Sequence, residues 1–202
     1  MMVGLSPHRM APPANAAPHH RRARQRRIPP HVWPAILLAY ACFLPREFAI
    51  DLGGANLPPY RLALILLIPA IFKQFGNNSV KVLPFDLLAW FAAIWIFVAL
   101  YAVNGLETAM VAGVAQGADI VLAYLIGRVS IRSGQDFKAL FAAVLPVFIV
   151  TGLLLAIESI FHLAIVRPIA AVLTGQHMPE LYHEMRFGLL RATGPFPHPI
   201  LG

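Results

Sequence analysis

Residues 137–161 read FKALFAAVLPVFIVTGLLLAIESIF. Only Lys138 and Glu158, near the two ends, are charged in this stretch. As a helix rising about 1.5 Å per residue it is longer than the roughly 30 Å of a bilayer's hydrocarbon core. Tilting accommodates such excess length, and Pro146 gives the helix a place to kink. The stretch therefore predicts a membrane span.

The surrounding composition agrees with a span. The 202 residues are 58% hydrophobic and 12% charged, with a mean hydropathy of +0.68, whereas a soluble domain carries about one charged residue in four. Four further apolar runs precede the first, over 32–50, 60–75, 83–102 and 109–127. The runs over 83–102 and 109–127 are long enough to cross. Those over 32–50 and 60–75 are short, and form either two crossings or a partial hairpin. The predicted fold class is an all-α integral membrane protein of about five transmembrane helices occupying residues 32–161, with an interfacial segment after them.

Residues 1–31 are rich in Pro, Ala, His and Arg and hold no acid. Such a segment cannot bury enough apolar surface to offset its ordering entropy and is expected to be a disordered basic tail. It lacks the apolar stretch of a secretory signal. The net charge of +7 does not point to nucleic acid, because the basic residues fall in short clusters between apolar runs, without interleaved aromatics. It points to orientation. Arg9, Arg21, Arg22, Arg24, Arg26, Arg27, Lys73, Lys81, Arg128, Arg132 and Lys138 fall on one side, against Arg46, Arg61, Arg167, Arg186 and Arg191 on the other. By the positive-inside rule the tail is cytoplasmic and residues 162–202 lie outside. Cys42 is the single cysteine, so neither an intramolecular disulfide nor a cysteine metal site is expected, and no cofactor motif is present.

Within the membrane, Asp119 stands in the run GVAQGADIVLAYLIGR, which ends at Arg128. An ionisable group there is costly and faces a wet cavity or a partner; the readings are a proton-relay or substrate-pocket acid, or a helix-packing residue. Ala109, Gly113 and Gly117 recur every fourth residue and make a stripe on which helices approach closely. Glu158 and His162 share a helix face, which suits proton movement at the surface or an ordinary ion pair. In QHMPELYHEMRFGLLR, 176–191, Pro179 and Glu180 suit a helix start, and Leu181, Met185 and Leu189 share one face. That pattern predicts a short interfacial helix presenting Arg186 and Arg191 to the headgroups. Guanidinium groups fit phosphate oxygens through paired donors, although the two arginines could equally snorkel to lipid phosphates.

The sequence of LGGANLPPYRLALILLIP, DIVLAYLIGR and above all RFGLLRATGPFPHPILG, residues 186–202, resembles the N-terminal half of the O-antigen ligase and polymerase family of bacterial inner-membrane glycosyltransferases. The resemblance covers residues 32–202. It implies transfer or polymerisation of glycan from an undecaprenyl diphosphate carrier, without nucleotide sugar, with the diphosphate held by periplasmic arginines. Only matching positions carry over: Arg186 and Arg191 as diphosphate contacts, with Gly194 and His198 shaping the turn before a sixth helix. Asp119 and Arg128 are supporting candidates. The family's catalytic histidine belongs to a large loop in the second half, so His198 does not inherit its role and the chain alone is expected to be inactive. Two other readings stay open: a small transporter or flippase-like protein built around Asp119, and a non-catalytic membrane subunit.

Overall fold

The computed structural model describes residues 28–52, 55–76, 83–176, 185–186, 188–190, 192 and 194–196. The basic tail expected over 1–31 lies outside them except for its last four residues. The described chain is mostly helical, and two helical segments are long and apolar enough to cross a membrane, Asp86–Ser130 and Gly134–Phe161.

The first of these segments is not one rod. Gly105 has φ 81° and ψ 177°, a conformation that side-chain-bearing residues avoid. Helix α3 (Asp86–Thr108) reverses there and continues through a π-helical turn, Ala109–Gly113, into α4 (Val114–Ser130). The two arms pack closely. A methyl group placed on Gly117 would lie 3.2 Å from Ala93 Cβ, and one on Gly113 would lie 3.2 Å from Phe97 Cα. Lower down, the Tyr124 hydroxyl donates to Asp86 Oδ1 at 2.6 Å. These pairs are all centred on residue 105, as an antiparallel helical hairpin requires. The small-residue stripe read from the sequence is thus the seam of this hairpin.

Helix α5 (Gly134–Phe161) starts three residues before the run quoted above. The Ser133 hydroxyl accepts the Asp136 N–H and donates to the Asp136 carboxylate, closing the free N-terminus. At the other end His162 takes the left-handed conformation, φ 58°. The run over 32–50 divides: α1 covers only Trp33–Cys42, followed by a 3-10 turn at Arg46–Phe48 and strand β1 at Ile50–Leu52. Strand β2 (Ala55–Leu57) pairs with β1 antiparallel, Ile50 opposite Leu57, and leads into α2 (Pro59–Gly76). Helices α1, α2 and α4 share the core formed by Ala35, Leu64, Ile71 and Ile126.

After α5 comes α6 (Val166–Thr174), ended by Gly175 in the left-handed conformation. The interfacial helix expected from Pro179 onward is not what the described part of that stretch forms. Residues 177–184 lie outside the described residues, and Met185–Arg186 (β3) pairs antiparallel with Leu189–Leu190 (β4). Gly188 between them has φ 79°, which ends a helix and suits a tight strand reversal. The face shared by Met185 and Leu189 on a helix therefore does not exist.

Candidate functional site

A cleft of about 420 Å³ opens where α1 ends and α2 begins. Its walls come from three places in the chain: Cys42, Leu44 and Arg46 at and just beyond the end of α1; Pro58, Pro59, Tyr60 and Arg61 at the start of α2; and Pro195 and Phe196. Pro59 suits the first turn of a helix, where its missing N–H costs no hydrogen bond. It sets Tyr60 and Arg61 in that first turn, at the rim.

Arg61 is held from α4. Its Nε donates to Asp119 Oδ2 at 2.8 Å and to Oδ1 at 3.1 Å, its Nη2 lies 2.8 Å from Oδ2, and the Tyr60 hydroxyl donates to Oδ2 at 3.2 Å. A paired guanidinium and carboxylate fix each other in orientation as well as in charge. Asp119 thus aims one guanidinium at the cleft while offsetting its charge. Arg46 is exposed, and among the described residues its guanidinium has no hydrogen bond or ion pair. Among the described residues the cleft therefore carries one arginine paired with a carboxylate and one without such a pair.

The third wall is anchored to α5. The Gly194 N–H donates to Glu158 Oε2 at 2.9 Å, and Phe196 stacks at an angle on Phe43, whose ring meets Phe148 edge-on at 4.7 Å. Nearby, Arg167 Nε donates to Glu47 Oε1 at 2.7 Å, joining α6 to the 3-10 turn that carries Arg46. Both members of that pair are nearly buried, Glu47 with 4% of its side chain exposed.

The sequence candidates scatter with respect to this cleft. Gly194 belongs to the turn whose next two residues line it. Asp119 reaches it through Arg61. Arg128 does not: its Nε lies 3.7 Å from Asp86 Oδ1, nine residues further along α4 than Asp119, or about 14 Å at helical rise. Arg186 lies in β3, opposite Leu189. Arg191 and His198 lie outside the described residues. Glu158 and His162 are not paired with each other. The Glu158 carboxylate goes to backbone amides, and His162 Nε2 meets the Gly188 carbonyl at 2.9 Å.

Arg46, Tyr60 and Arg61 were not among the site residues expected from sequence. A signal for Arg61 existed, since an acid within an apolar run calls for a cation, and Arg61 begins the neighbouring run. Nothing local marks Arg46. Chemically the cleft offers two guanidinium groups, of which Arg61 is oriented by Asp119, a set suited to oxyanions such as phosphate. Among the described residues no group of three or more His, Cys, Asp or Glu is placed to hold a metal.

The fold and the cleft define a mostly helical protein with two segments long and apolar enough to cross a membrane and an arginine-lined cleft where α1 ends and α2 begins. Comparison with family models, curated proteins and solved structures finds no match.

Proposed function

We propose that the chain is a multi-pass protein of the bacterial inner membrane, with its N-terminus cytoplasmic, that binds the diphosphate of an undecaprenyl-linked glycan in the cleft between Arg46 and Arg61. In this reading it is the N-terminal part of a glycan ligase or polymerase of cell-surface polysaccharide synthesis. The two arms of the α3/α4 hairpin make two crossings, α5 a third, and α1 with α2 complete about five. The cleft then faces outward, and Arg128 and Asp86 face the cytoplasm. One observation carries the reading. The turn at Gly194–Phe196, part of the sequence pattern that resembles the ligase family, forms a wall of the same cleft as Arg46 and Arg61.

Binding to the chain in lipid nanodiscs tests it, with farnesyl diphosphate as the probe. Replacing Arg46 or Arg61 by alanine removes a charge-assisted hydrogen bond worth about 1.5–3 kcal/mol, so each variant is expected to bind roughly tenfold or more weakly. Unchanged affinity in both variants overturns the site. Arg186→Ala and Arg191→Ala test the family expectation in the same assay. The transporter reading draws less support, because the carboxylate of Asp119 is already engaged by Arg61 and Tyr60.

A further inference from the structure

Glu158 is the least exposed charged residue among those described, at 1%. It stands in the last turn of α5, where a negative charge opposes the helix dipole. Local electrostatics therefore disfavour it, and its surroundings must offset the cost. Three backbone amides do so. Oε1 accepts the N–H of Ile165 at 2.8 Å and of Val166 at 2.9 Å, and Oε2 accepts the N–H of Gly194 at 2.9 Å.

The first two amides open α6, which has no side-chain cap of its own. Glu158 supplies that cap from the preceding helix, where an anion is favoured by the N-terminal end of the α6 dipole. The third amide belongs to a different part of the chain, 28 residues further on. Gly194 is there with φ 54°, and a methyl group on it would lie 2.7 Å from Leu155 Cδ2. The turn is thus pressed against α5 by contact at Leu155 and tied to α5 by charge at Glu158. Pro195 and Phe196, which line the cleft, follow directly.

We infer that Glu158 is the positioning residue of the cleft: its carboxylate caps α6 with one oxygen and with the other holds the Gly194–Pro195–Phe196 wall against α5. It does not touch the ligand, and its acceptor oxygens are already turned to backbone N–H groups. For the ligand's identity the inference rests on the diphosphate reading above; for the placement of the wall it does not.

Glu158→Gln separates the two tasks. A carboxamide has one acceptor oxygen, and its NH2 repels an N–H. The orientation that keeps more bonds turns the oxygen to Ile165 and Val166 and the NH2 to Gly194, so α6 stays capped while the wall is released. Cys42 lines the cleft and is the only cysteine in the chain, so its alkylation by a water-soluble maleimide reports the opening without any ligand. In nanodiscs, Glu158→Gln is expected to raise the alkylation rate about fivefold and to weaken farnesyl diphosphate binding by a similar factor. Gly194→Ala leaves the carboxylate and the α6 cap untouched and displaces the wall from the Leu155 side. It should produce both changes, and adding Leu155→Ala should partly reverse them. Gly194→Ala also carries the test should Glu158→Gln fail to fold. Cys42 alkylation at the wild-type rate in both variants overturns the inference. Accelerated alkylation in a chain whose wild type binds no diphosphate supports the positioning role and overturns the diphosphate reading instead.

Discussion

Arg61 puts a positive charge in the first turn of α2, where the helix dipole is itself positive, and Asp119 from α4 supplies the anion that makes the placement tolerable. About a quarter of each side chain is exposed, 26% and 22%, so the pair lies between a surface ion pair worth little and a buried one whose single truncation costs about 3–5 kcal/mol. Asp119→Ala and Arg61→Ala are each expected to destabilise the fold by about 1–3 kcal/mol. The double variant should lose less than the sum, with a coupling of about 1 kcal/mol or more, in unfolding measured in detergent micelles. Strict additivity would sink the pairing. Half of this pair was legible in the sequence, because an acid inside an apolar run announces that it needs a partner. The partner was not, since 58 residues separate the two and Arg61 reads equally well as a topology charge. Arg46 was still less legible, since its significance comes wholly from the walls that the fold brings around it.

Helical periodicity and small-residue spacing were informative where the element buries a face against a neighbour. The stripe of Ala109, Gly113 and Gly117 indicated close packing before any partner was known, and Ala93 and Phe97 of α3 are that partner. Gly117→Leu is expected to cost at least about 1–3 kcal/mol by forcing the arms apart, and Gly105→Ala about 1–3 kcal/mol by straining the reversal itself. The two should be distinguishable by crosslinking between cysteines introduced at Ala93 and Ala118 in a Cys42→Ala background: Gly117→Leu reduces the yield, and equal yields would argue against the seam. Where the pattern was weak, it misled. Leu181, Met185 and Leu189 fit a helix as well as alternate residues fit a strand, and the decisive feature is the positive φ of Gly188, which composition does not reveal. In the run over 32–50 the helix stops at Cys42, and Pro45, Arg46 and Glu47, which interrupt the apolar residues there, fall at the 3-10 turn that follows.

At the scale of the whole molecule the apolar residues are turned outward. Leu66, Phe72, Val103, Val111 and Val172 are all more than 70% exposed, and the shared core of α1, α2 and α4 is small. A surface of this kind in water would drive association, whereas lipid covers it at no cost. Alkaline carbonate should therefore leave the chain in the membrane pellet. The proposed orientation is a sharper matter, because Arg and Lys counts weigh a long basic tail heavily, whereas the fold places identifiable residues at opposite ends. Cys42 lies in the cleft beside Arg46, and Lys138 lies in the first turns of α5, near the end where Arg128 meets Asp86. An impermeant maleimide applied to spheroplasts is expected to label Cys42 and to leave Lys138→Cys, in a Cys42→Ala background, unlabelled until the membrane is opened. The reverse pattern would put the cleft in the cytoplasm, out of reach of a carrier displayed on the outer leaflet. Labelling of both from outside would mean that α5 does not cross at all. Only the first result lets Arg46 and Arg61 meet a lipid diphosphate whose glycan has already been moved across the bilayer.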